Sequence, residues 1–241
     1  MSELRIALVA EGPTDYEIIN AALRAVLPQA FVMKLLQPEA TQPRMGNGWG
    51  GVLKWCHAAR ARHAGSLDSD PTLVGFDLLI IHLDVDVAWS RYADLGQEAE
   101  AMAREANWHG LPCALPCPPA ADTCARLATV LNSWLGRAAP CGRTLYCLPA
   151  QSSGTWLAAA VLPPGHALLA GVECNVGVEP GLALLPKKER IKKTVREYRL
   201  QAPRITTEWV KVKQACSQAS DFEQILLTKV APPPAKEAPR V

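Results

Sequence analysis

The sequence predicts an α/β protein: a mainly parallel sheet with helices on both faces, followed by a basic helical extension. Three observations carry that expectation. Short apolar, β-branched runs alternate with stretches of helical periodicity, the pattern of parallel strands joined by crossover helices. Two of the clearest strands end in acidic residues. The charge also changes sign along the chain: residues 1–186 hold 12 Lys/Arg against 17 Asp/Glu, whereas residues 187–241 hold 13 against 6.

Leu4–Ala10 is short, apolar and bounded by a turn, so it is expected to form a buried strand. Glu11-Gly12-Pro13-Thr14-Asp15 follows as the turn. Tyr16–Val26 then repeats Ile18, Ile19, Ala22, Leu23 and Val26 at helical spacing. Pro13 suits a first helical turn, and Asp15 sits at the positive end of the helix dipole. Phe31–Leu36 reads as a second strand, Gly46–Gly51 as a flexible loop and Val52–His63 as a helix. The clearest strand is Phe76–Leu83, and it runs into Asp84-Val85-Asp86.

Further on, Tyr92–Asn107 is expected to be helical, Leu111–Pro116 a short strand and Ala120–Leu135 a helix. Thr144–Leu148 reads as a strand and Thr155–Val161 as a short helix. The basic stretch Lys187–Arg199 is expected to be helical, with Trp209–Ala215 and Asp221–Leu227 as closing amphipathic segments. This divides the chain into an α/β domain over 1–165, a basic extension over 166–230 and a disordered, proline-rich tail over 231–241.

Composition sets outer limits. With 241 residues, 49% hydrophobic and 20% charged, and a mean hydropathy of +0.03, the chain has the material of an ordinary globular core. No apolar run approaches the ~20 residues that span a bilayer, so a soluble, cytoplasmic protein without membrane contact is expected. The eight cysteines are accordingly expected to be reduced, and several lie in apolar settings. Cys113, Cys117 and Cys124 have neither the paired spacing nor the nearby histidine of a zinc site.

The chemistry lies in the acids. Residues two apart on a strand share a face, so Asp84 and Asp86 are expected to project together from one strand end. Glu11 leaves the end of a neighbouring strand, and Asp15 follows four residues later. Carboxylates gathered at one sheet edge repel one another unless a cation neutralises them, and oxygen ligands favour Mg²⁺ or Mn²⁺. Bound there, such an ion serves phosphate chemistry. Taken singly, Asp84-Val85-Asp86 also fits a sugar-nucleotide transferase, and Glu11 and Asp15 fit helix capping. His82 reads first as a core histidine, Trp156 as core, and Trp49 as a loop aromatic folded onto the surface. Lys187, Lys188, Arg190, Lys192 and Lys193 form a phosphate-contacting patch or a solvated helix face.

Glu11-Gly12-Pro13-Thr14-Asp15 after an apolar strand resembles the first motif of TOPRIM domains, and Leu83-Asp84-Val85-Asp86 resembles their DxD motif. The form of the first motif is closest to the OLD-like and small stand-alone TOPRIM proteins. Leu148–Ala160 is similar to a later block in them, and most of the chain falls within the resemblance. It implies a TOPRIM fold of the Rossmann-like kind, nuclease activity toward DNA or RNA, tRNA included, and Mg²⁺ or Mn²⁺ as cofactor. It also implies an ABC-type ATPase partner in antiphage defence. By the same resemblance, Glu11 is general base or metal ligand, Asp84 and Asp86 are metal ligands, Asp15 assists them, and Lys187, Lys188, Arg190, Lys192 and Lys193 contact phosphates. A homo-oligomer is compatible with all of this. One departure stands out: relatives place a Glu just before the Trp of the later block, where this chain has Gly154-Thr155. That departure opens the alternative of a catalytically degenerate TOPRIM subunit acting as an interaction protein. A receiver-like phospho-acceptor domain ranks behind both, because no late strand-end lysine is present.

Overall fold

In the computed structural model, which describes residues 3–39, 41, 43–138 and 142–230, β1 (Leu4–Val9) leads through Glu11-Gly12 into α1 (Pro13–Val26). β2 (Phe31–Gln37), α2 (Gly48–Arg62) and β3 (Leu78–His82) follow, then α3 (Gln97–Glu105), α4 (Ala120–Leu135) and β4 (Thr144–Cys147). The second half is helical: α5 (Gly154–Val161), α6 (Val178–Leu184), α7 (Val195–Thr207), α8 (Trp209–Ala215) and α9 (Ser217–Val230). The expected tail over 231–241 lies outside the described residues.

The four strands among the described residues are all parallel, in the order β2–β1–β3–β4. Alternation along each strand feeds two cores. Ile6, Leu8, Ala10, Leu78 and Ile80 pack with α1, α5 and α7–α9 on one face. Ala7, Val9, Leu79, Ile81 and Leu83 pack with α2 and α4 on the other. Both faces are covered, which is why the strands read as nearly continuous apolar runs. The order matters for function. After β1 the chain moves out to β2 and later returns to the other side of β1 as β3, so the direction of winding reverses between β1 and β3. In such sheets the crevice at the carboxyl ends of those two strands is where ligands bind.

Several local expectations are corrected. Gly46–Gly51 is not a flexible loop: α2 begins at Gly48, and Gly50 and Gly51 are buried in its first turn. Close packing explains them, since a Cβ on Gly50 would meet Leu95 Cδ2 at 2.8 Å and one on Gly51 would meet the Gly46 carbonyl oxygen at 2.8 Å. Trp49 therefore sits on a helix, stacked on Trp134 at 6.3 Å, instead of on a loop. Tyr92–Asn107 is broken at Gly96 into a 3-10 turn and α3. Leu111–Pro116 makes no strand. Prolines remove its donors, and the remaining amides of Cys113 and Ala114 both donate to the Ala88 carbonyl.

The basic run is not one helix either. Lys187–Glu189 form a turn after Pro186, Ile191 is buried, and α7 starts only at Val195. Thr194 fixes that start, because its hydroxyl accepts from the Glu197 amide at 3.3 Å. The reduced state expected of all cysteines also fails at one pair. Cys117 and Cys174, 57 residues apart, are disulfide-bonded with a Cα–Cα distance of 5.5 Å. Cys56, Cys113, Cys124, Cys147 and Cys216 are free thiols, while Cys141 lies outside the described residues. Among the described residues, no helix is long and apolar enough to cross a membrane.

Candidate functional site: a buried carboxylate–imidazole cluster

Register brings the two acidic motifs together. Val9 pairs with Ile81, so β1 and β3 leave the sheet side by side. The Glu11 carboxylate then ties the two ends, accepting from the Asp84 amide at 2.7 Å. Asp15 is held in the first turn of α1, where its Oδ2 accepts from the Gly12 amide at 2.9 Å. That bond is the helix-end role read from the sequence, but Asp15 is also turned into the site. Its Oδ1 accepts from the Ser153 hydroxyl at 2.7 Å, while the Ser153 amide donates to Asp84 Oδ1 at 2.8 Å. Ser153 stands at the head of α5, fully buried, and so bridges Asp15 in the first turn of α1 and Asp84 just beyond β3.

His82, the last residue of β3, completes the cluster. Its Nε2 lies 3.1 Å from Asp84 Oδ1, yet without the alignment of a hydrogen bond, and neither ring nitrogen has a hydrogen-bond partner. The potential ligand atoms of Asp15, His82 and Asp84 all lie within 4.8 Å of one another. All three side chains are buried, with residue exposures of 1%, 0% and 3%. Sequence reading took His82 as core. Its packing agrees with that, but its bare nitrogens do not.

Asp86 does not join this group. β3 ends at His82, and Val85–Trp89 curls into a 3-10 turn with Asp84 at its head, so the two-residue alternation of a strand is lost. Asp86 is exposed and faces a second set of charges. These are Glu179 from α6 and Lys193, whose Nζ donates to Glu179 Oε2 at 2.7 Å. Tyr198 donates its hydroxyl to Glu179 Oε1 at 2.6 Å. Of the five basic candidates, Lys193 reaches this edge; against partial desolvation, Glu179 above all, with Asp84 and Asp15 behind it, holds its ammonium well charged. Lys187, Lys188, Arg190 and Lys192 are exposed on the strap before α7.

Glu179 was invisible in the sequence, and the signal that could have found it is Gly154. A Cβ on Gly154 would meet Glu179 Oε1 at 2.8 Å and its Cβ and Cγ at 2.9 Å. The acid absent before Trp156 thus leaves room for an acid brought from α6.

Burial and mutual repulsion dominate the electrostatics. Desolvation first, and the Asp84 charge second, push Glu11 well above the usual carboxylate range. Asp15 is raised mainly by burial, with His82 opposing. Asp86 is pushed up to about 7 by partial desolvation and then by Asp84, with Lys193 opposing. Burial alone would lower His82, but Asp15, Asp84 and Glu11 outweigh it and raise the ring to about 9. The folded protein therefore holds more protons than the unfolded chain between roughly pH 4 and 9. For His82 the stabilisation is present below its ordinary 6.5 and is lost as pH rises through about 9. For the carboxyls, stability is gained as pH falls below their raised values. The chelator-treated protein is thus expected to melt at progressively lower temperature from pH 6 to pH 9. A calorimetric series showing a rise over that range would contradict the arrangement.

A divalent cation fits these residues. Crowded carboxylates with raised proton affinity and a buried imidazole without an aligned hydrogen bond are what a cation would satisfy. The chain matches no protein-family model, and neither curated proteins nor solved structures provide a match.

Proposed function

We propose that the protein is a divalent-cation-dependent nuclease, hydrolysing phosphodiester bonds of DNA or RNA at the carboxyl edge of β1 and β3. One observation carries the reading: Glu11, Asp15, Asp84 and His82 converge at the point where the sheet reverses its winding. The TOPRIM resemblance of the two motifs supports the same chemistry, and it supplies the proposal of an ABC-type ATPase partner in antiphage defence. A cation bound at Asp15 and Asp84 would polarise the phosphate and lower the proton affinity of water.

The chain's own groups would do the rest. Glu11 is half-buried beside the cluster with a raised proton affinity, which suits it to accept a proton from the attacking water. Ser153 holds both aspartates in orientation. Lys193, paired with Glu179 near Asp86, would meet a phosphate oxygen at the outer side. The exposed Lys187, Lys188, Arg190 and Lys192 would follow the backbone of a polyanion.

The test is incubation with Mn²⁺ or Mg²⁺ and a panel of plasmid, single-stranded DNA and tRNA, with chelator controls. Cation-dependent cleavage is expected, reduced about 100-fold or more in Glu11→Gln, the range typical of a lost general base. Absence of cleavage with any substrate, also when an ATPase partner is added and triggered, would favour the interaction-subunit alternative.

A further inference from the structure

We infer that the cation site has a nitrogen ligand. His82, with Asp15 and Asp84, forms a mixed imidazole–carboxylate site that takes a first-row transition cation, represented by Mn²⁺, in preference to Mg²⁺. This rests on the cation reading above but goes beyond it, since the oxygen ligands expected from the motifs alone would suit either ion.

Three observations carry the inference. A fully buried imidazole ordinarily satisfies both ring nitrogens, whereas His82 has no hydrogen bond at Nδ1 and only an unaligned contact to Asp84 at Nε2. Its Nε2 instead points to within 3.1 Å of an Asp84 oxygen, in the one described group of metal-ligating side chains whose donor atoms converge. The carboxylates are already oriented from outside, Asp15 by the Gly12 amide and the Ser153 hydroxyl, Asp84 by the Ser153 amide. Such outer hydrogen bonds are what fix ligands around a metal. The three side chains are themselves nearly fully buried, with exposures of 1%, 0% and 3%, so an ion held among them would keep only part of its hydration shell. Mg²⁺ sheds water reluctantly and keeps oxygen ligands, whereas imidazole adds affinity for the transition cations.

The experiment uses the full chain with Mn²⁺ as the probe, unlabelled and with ¹⁵N-histidine, read by electron spin-echo modulation. One nitrogen coupling on bound Mn²⁺ is expected, changing isotope pattern with the label and absent in His82→Gln, which keeps the other four histidines. Competition should show Mg²⁺ binding about tenfold or more weakly than Mn²⁺. Should His82→Gln fail to fold, the labelled wild type still decides, with Asp84→Asn as the control that removes the site but keeps His82. Mn²⁺ bound in an Asp84-dependent way without nitrogen coupling would overturn the His82 ligand and leave the acidic cation site standing. No Mn²⁺ binding at all would overturn both.

Discussion

Asp84→Asn is expected to abolish cation-dependent stabilisation while leaving the cation-free protein no less stable than wild type. The wild-type site accumulates like charge: Asp84 raises the proton affinity of Glu11, Asp15 and Asp86 alike, opposed by its attraction for the protonated His82 ring. An asparagine removes that repulsion, and its side-chain oxygen can still accept from the Ser153 amide, the bond now made at 2.8 Å. A single stabilising substitution commonly adds about 0.5–2 kcal/mol, which sets the scale for relieving this repulsion. Cation binding at 100 times its dissociation constant adds about 2.7 kcal/mol to the wild type, or very roughly 5–10 °C in a chain of this size. The variant should show none of that gain. The check is a pair of melting curves for each protein, with chelator and with Mn²⁺. A loss of more than about 2 kcal/mol in cation-free Asp84→Asn would mark Asp84 as a structural keystone instead of a ligand.

The largest stability effect is expected at Trp156. Its side chain is fully buried in α5, with its ring 5.4 Å from Trp209 of α8 and 5.6 Å from Phe222 of α9. It is therefore what joins the site-bearing helix to the C-terminal helices. Trp156→Ala should cost about 3–5 kcal/mol in urea unfolding, the usual range for truncating a buried aromatic. Trp156→Phe should cost markedly less. The indole N–H is buried without a hydrogen-bond partner, so phenylalanine loses volume but also removes an unsatisfied donor worth about 1–3 kcal/mol. Equal losses in the two variants would show that the ring packs less tightly than its contacts indicate.

What the sequence revealed follows from how locally each feature is encoded. β1 and β3 announce themselves as apolar runs cut short by Glu11 and Asp84, and α4 and α8 match their expected bounds, because pattern and boundary lie within one stretch of chain. The glycine-rich start of α2 was misread because glycine signals a loop locally, whereas Gly50 and Gly51 answer to Leu95, Gln37 and Gly46. The strap before α7 was misread because its charge pattern suits a helix face, while Pro186 and the Thr194 cap decide otherwise.

The site shows the same division. Glu11, Asp15 and Asp84 were legible at strand and helix ends. His82 reads as core from its neighbours, and nothing local shows that its nitrogens face two carboxylates. Glu179 meets Gly154 across 25 positions, and the Cys117–Cys174 bond spans 57. Only tertiary packing makes either pair.

Asp15, His82 and Asp84 are proposed to hold a divalent cation. Anomalous diffraction from Mn²⁺-soaked crystals tests it most directly. A peak is expected among these three side chains, with ligand distances of about 2.0–2.3 Å. A fully soaked crystal with no peak there, and with the three side chains arranged as described, would contradict it.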